Sequence, residues 1–94
     1  MNFDWDEDKN AENIRKHELD FCDAWEVFER PMLQKLDVRQ SYGEERYLAF
    51  GVLERKVVAI VFTERGDTIR VISFRRARRD ERRYYKEAIK NRLG

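Results

Sequence analysis

At 94 residues the chain has the length of one ordinary domain over 1–94, with no linker or repeat to divide it. Charged and apolar residues each make up 41%, so the core is expected to be thin, although many aromatic and β-branched residues argue against disorder. No apolar run nears the roughly 18 residues of a membrane span, and the acidic opening MNFDWDEDKN lacks a secretory pattern. One cysteine and one histidine exclude a disulfide framework and a cysteine/histidine zinc site, so a cytoplasmic location with no membrane partner is the default expectation.

Asn2 to Trp5 can open the chain as a short strand. Asp6 then reads as an N-cap, with Glu7 and Asp8 placed to complement a helix dipole, and a helix follows over about 7–17. Ala11 and Ile14 are its only apolar residues, so it must pack through Asn, Lys and aromatic neighbours. Asp20 is the next cap. Phe21, Ala24, Trp25 and Phe28 fall at i, i+3, i+4 and i+7, a stripe expected in the core of a second helix that stops before Pro31.

The middle of the chain reads as strands. Leu33–Arg39 alternates loosely before a turn at Ser41-Tyr42-Gly43, and 46–53 precedes a tight turn at Glu54-Arg55. Val57 to Phe62 is apolar at every position, as in a central strand covered on both faces. A turn at Arg65-Gly66-Asp67 leads into a strand over 68–74, and a final helix runs over about 78–93. Short connections predict an antiparallel meander. The fold class is therefore α+β, with two N-terminal helices and a C-terminal helix packed on an antiparallel sheet.

The net charge of +1 conceals an asymmetry. Residues 1–53 hold 7 Lys/Arg against 13 Asp/Glu (−6), whereas 54–94 hold 13 against 6 (+7). Either the halves neutralise each other or the second half meets a polyanion. Arg65, Arg70, Arg75, Arg76, Arg78, Arg79, Arg82 and Arg83 crowd one stretch beside Tyr84 and Tyr85. Guanidinium forks bind phosphate and aromatic rings stack on bases, a mixture that suits single-stranded RNA. The alternative is a solvated helix face paired with Asp80, Glu81 and Glu87.

RNA can be cleaved without a metal or other cofactor. A base takes the 2′-hydroxyl proton, cations stabilise the phosphorane, and an acid protonates the departing oxygen. Glu64 is a candidate base, Arg65 or Arg75 a phosphate clamp, and Tyr85 or His17 an acid. Arg70, Arg76, Arg79, Arg82, Arg83, Tyr84 and Lys9 are candidate RNA contacts. His17 also fits a C-capping or packing role, and Lys9 a plain surface role. Cys22 lies between core positions and is expected to be inert.

In chain order these residues resemble the BrnT family of bacterial type II toxins. The blocks are Phe3-x-Trp5-Asp6-Glu7-x-Lys9-Asn10, then Asn13, Lys16-His17, Phe21, Ala24, Val27-Phe28 and Pro31. Tyr42-Gly43-Glu44-Glu45-Arg46 and Thr63-Glu64-Arg65-Gly66-Asp67 follow, and then Ile69-Arg70-Val71-Ile72-Ser73, Arg75, Ala77, Glu81 and Tyr85. The resemblance implies a RelE-like ribonuclease fold, RNA cleavage that arrests translation (possible on or off the ribosome), and a BrnA-type ribbon-helix-helix antitoxin. Operator DNA would be reached only through that antitoxin. Lys9, His17, Glu64, Arg65, Arg70, Arg75 and Tyr85 match positions of the family pattern. Glu18 stands where the family usually has glycine, Asp20 for serine, Phe74 for a small residue, and Arg78 for a threonine cap. The rival readings are a non-catalytic RNA- or DNA-binding module and a corepressor that acts only with its antitoxin.

Overall fold

A computed structural model describes residues 1–39, 41 and 43–93. In chain order it forms β1 (Asn2–Asp4), α1 (Glu7–His17), a 3-10 turn (Phe21–Asp23), α2 (Ala24–Phe28), β2 (Leu33–Leu36), β3 (Tyr47–Leu53), β4 (Lys56–Arg65), β5 (Thr68–Arg76) and α3 (Arg79–Leu93). The strands lie in the order β1-β5-β4-β3-β2.

The α+β class and helix placement agree with expectation, but the sheet is mixed, not antiparallel. β2 to β5 form the antiparallel meander. β1 instead pairs parallel with β5, Asn2 opposite Thr68 and Asp4 opposite Arg70. Short connections dictate direction only between strands they join directly, and β1 is separated from β5 by most of the chain.

Local signals set the element ends. The Asp6 carboxylate accepts the backbone N–H groups of Asp8 and Lys9, and α1 closes at Glu18, a left-handed residue (φ 59°) whose N–H bonds Ile14 O. Asp20 caps the 3-10 turn by accepting Cys22 N–H. The chain reverses between β3 and β4 at Glu54 and Arg55, both with positive φ (49° and 68°). The expected strand over 33–39 stops at Leu36, and Tyr42 of the expected turn lies outside the described residues.

The apolar stripe of the second helix is only partly core. Phe21 and Ala24 are buried together with Val27, but Trp25 is 50% exposed. Three residues wound at 3 per turn rotate the helix by about 60° relative to an α-helix, enough to turn Trp25 outward. Cys22 is exposed as well, and its hydrogen bond with Asp20, followed by burial and the Asp23 charge, pushes the thiol up to about 11.

Core lies on both faces of the sheet. On the α1/α2 side Phe21, Val27 and Ala49 meet Val58, Ile60, Phe62, Val71 and Phe74, while on the α3 side Phe50, Val57, Ala59, Ala77 and Tyr85 cluster. β4 serves both layers, which is why it is apolar at consecutive positions. Gly51 lets α2 approach β3, because a Cβ there would stand 2.5 Å from Val27 Cγ1. The β4–β5 ladder slips between Val61 and Phe62, leaving Ile72 as an extra residue. That bulge puts Arg76 on the same face as Phe74, Val71 and Ile69, and Arg75 on the same face as Ser73 and Arg70.

Candidate nucleic-acid interface

The end of β5 is where charge concentrates. Arg75 and Arg76 point to opposite faces there, and the chain then turns into α3. Glu81, on the first turn of that helix, is the organising acid: it is buried, and its carboxylate accepts Arg75 Nη1 and Nη2 at 2.8 and 3.1 Å. The same carboxylate accepts the Arg78 backbone N–H at 2.8 Å and Arg78 Nη2 at 3.1 Å. The start of α3 is thus satisfied from inside the helix by the Glu81 carboxylate. The paired Arg75, with the Arg78 N–H and charge, holds the Glu81 carboxyl down at about 2 against the opposing effect of burial.

A cleft of about 400 Å³ opens between this point and the C-terminus of α1, lined by Arg15, Lys16, His17, Glu18, Arg75, Arg76 and Arg78. Two buried asparagines seat α1: Asn13 bonds Phe74 of β5, and Asn10 bonds Asp20 and the Phe21 N–H, which carries Lys16 and His17 to the strand end. Arg15 and Lys16 pair with Glu12 on the exposed side of the helix. A second cleft of about 260 Å³ lies beyond Arg76, lined by Arg55, Lys56, Val57, Arg76, Ala77, Arg82 and Lys86. Together the two clefts gather nine Lys and Arg residues, with Glu18 the one lining carboxylate. Two larger hollows exist, an aromatic groove of about 630 Å³ around Phe3 and Trp25 and an acidic one of about 610 Å³ lined by Asp37, Glu44 and Glu45. Neither brings bases together with histidine, so chemistry and not size selects the basic clefts.

The residues singled out in the sequence separate into groups. His17, Arg75, Arg76 and Arg82 reach the clefts. Glu64 and Arg65 sit at the opposite end of β4; Glu64 pairs with Ile69, six residues or about 20 Å along β5 from Arg75. Arg65 there pairs with Glu44 at 3.3 Å, and Arg70 with Asp4 at 3.4 Å. Tyr85 is buried under the sheet, its hydroxyl donating to Pro31 O at 2.8 Å. Burial pushes its phenol above the usual value, with Arg30 and Arg92 opposing.

Lys9 is exposed about 10 Å along α1 from Lys16, two turns away on one side of the helix. Arg79 and Arg83 are exposed on α3, and Tyr84 is 56% exposed with its ring edge-on to Phe50 at 6.2 Å. His17 is the last helical residue but not the cap, a role taken by Glu18. Lys16, Arg55, Lys56 and Lys86 were not among the sequence candidates; a basic pair at a two-residue hairpin turn was the available signal for Arg55 and Lys56.

No helix among the described residues is long and apolar enough to cross a membrane, and none of their His, Cys, Asp and Glu side chains group as a metal site. The family model described as "Ribonuclease toxin, BrnT, of type II toxin-antitoxin system" matches residues 5–81. No curated protein matches the chain. The matched span contains α1, strands β2 to β5 and Glu81, and it leaves out β1, Arg82 and Lys86.

Proposed function

The chain belongs to the BrnT family of ribonuclease toxins of type II toxin-antitoxin systems, and from that premise we propose that it cleaves RNA at the cleft shared by His17 and Arg76. In this reading residues 1–94 act as one cytoplasmic toxin domain of RelE-like architecture. Cutting RNA arrests translation, and a BrnA-like ribbon-helix-helix antitoxin silences the toxin and carries it to operator DNA. The observation that supports the site is the convergence of the one histidine with Lys16, Arg75, Arg76 and Arg78 in a single cleft.

The reaction needs no metal or cofactor. The 2′-hydroxyl gives up its proton and its oxygen bonds to the adjacent phosphorus. The bond to the 5′-oxygen breaks, that oxygen takes a proton, and a 2′,3′-cyclic phosphate remains. His17 handles one of these proton transfers, since imidazole can act as either acid or base. Arg76 and Lys16 hold the phosphate and offset the charge gained in the transition state. Arg75, locked by two hydrogen bonds to Glu81, offers a guanidinium already oriented, so little entropy is lost on binding.

The test is cleavage of RNA by purified, antitoxin-free protein with EDTA present, with and without ribosomes, comparing wild type with His17→Ala and Arg76→Ala. Cleavage by wild type that falls at least roughly 100-fold in each folded variant is the expected result, the usual scale for a general acid–base or oxyanion group. Intact RNA in every arm would remove the enzymatic reading and leave a nucleic-acid-binding or corepressor role.

A further inference from the structure

The reaction at the first cleft draws on the second only through Arg76. That cleft lies between the β3–β4 turn and the first turns of α3, and no carboxylate lines it. Arg55, Lys56, Arg76 and Lys86 form no ion pair among the described residues. Like charges gathered without counter-ions repel one another, and a bound polyanion relieves that repulsion. The backbone holds them together nonetheless. Arg55 sits at φ 68°, a conformation few side-chain-bearing residues adopt, and Arg82 Nη1 is tied to Ala77 O at 2.8 Å.

Arg76 lines both clefts, so the second is continuous with the one assigned to the cleaved phosphate. The track also bends. α1 docks at the open edge of β5 through Asn13 while α3 packs over the Phe50 and Ala59 face, so the two clefts meet at Arg76 from different directions. A flexible single strand follows such a bend, whereas a duplex is stiff over this length.

We propose that the cleft between the β3–β4 turn and α3 is a second phosphate-binding subsite, which takes the backbone of single-stranded RNA beyond the cleaved linkage. The preferred substrate is therefore a strand of several nucleotides and not a dinucleotide. This rests on the ribonuclease reading of the neighbouring cleft, although its test does not depend on cleavage.

The probe is a 2′-O-methyl RNA twelve-mer, which cannot form the cyclic phosphate, titrated by fluorescence anisotropy across a salt series. Arg55→Asn keeps a residue type that tolerates the left-handed backbone, Lys86→Gln alters an exposed helical position, and Lys35→Gln removes one charge from the distant β2 edge as control. Each cleft variant is expected to flatten the slope of log K against log salt by about 0.7, and the double variant by about 1.4. The double variant should also bind at least roughly tenfold more weakly at low salt. Slopes equal to that of Lys35→Gln in folded cleft variants overturn the subsite. Cleavage of unmodified RNA by wild type is scored in parallel: cleavage without a slope change removes the subsite alone, and a slope change without cleavage removes only the enzymatic reading.

Discussion

Asn13 completes the open edge of β5 at Phe74. Its Nδ2 donates to Phe74 O at 2.7 Å and its Oδ1 accepts Phe74 N–H at 3.1 Å, while Nδ2 also reaches Leu19 O at 2.9 Å. β1 covers β5 only from Thr68 to Arg70, so without Asn13 two buried backbone groups would lack partners. A helix with almost no apolar surface is thereby docked through a side chain that imitates a neighbouring strand.

Replacing that carboxamide should be costly. Asn13→Leu leaves both Phe74 groups unsatisfied and is expected to lower stability by about 2–4 kcal/mol, read from urea unfolding. Asn13→Asp, which keeps an acceptor and loses the donor, should also destabilise. A loss below about 1 kcal/mol for Asn13→Leu would mean that water or a shifted strand replaces the pair.

The Glu81 cluster makes stability depend on pH. Its folded carboxyl lies below the ordinary value of 4.5, at about 2, so the stabilisation is complete above the unfolded value and disappears as pH falls through the folded one. Between pH 4.5 and 2 wild type should lose on the order of 3 kcal/mol from this group. Glu81→Gln should be less stable at neutral pH and lack that component of the acid decline. Thermal unfolding across the interval checks both, and parallel curves for the two proteins would contradict the assignment.

Tyr85 is expected to act through packing. Tyr85→Phe removes the bond to Pro31 O and should cost about 1 kcal/mol while leaving RNA cleavage by the folded protein unchanged. A collapse of the cleavage rate with stability intact would instead return the phenol to the reaction.

Glu18 carries backbone strain beside the site. With φ at 59° it occupies a conformation that favours glycine. Glu18→Gly should raise stability by roughly 0.5–1 kcal/mol, seen as a higher Tm. The same change deletes the carboxylate lining the first cleft, so RNA binding at low salt should tighten. Weaker binding would show that Glu18 helps to hold the cleft open.

The chain order of the elements was legible in the sequence because its signals are local. Asp6 caps its own helix, Pro31 follows the second one, Glu54-Arg55 makes a two-residue turn, and the unbroken apolar run of β4 reports two buried faces. The charge imbalance also pointed to a basic second half. Pairing across long separations was not legible. The parallel edge of β1, the bulge at Ile72 and the outward turn of Trp25 arise from contacts between distant segments or from a change of helix pitch. The site followed the same division: arginines were visible as a cluster, but only the tertiary structure separated Glu64 and Arg65 from Arg75 by the length of a strand. It also brought Lys16 and His17 to Arg75 and Arg76, because a strand spreads neighbours in sequence apart at about 3.3 Å per residue while packing joins residues most of the chain apart.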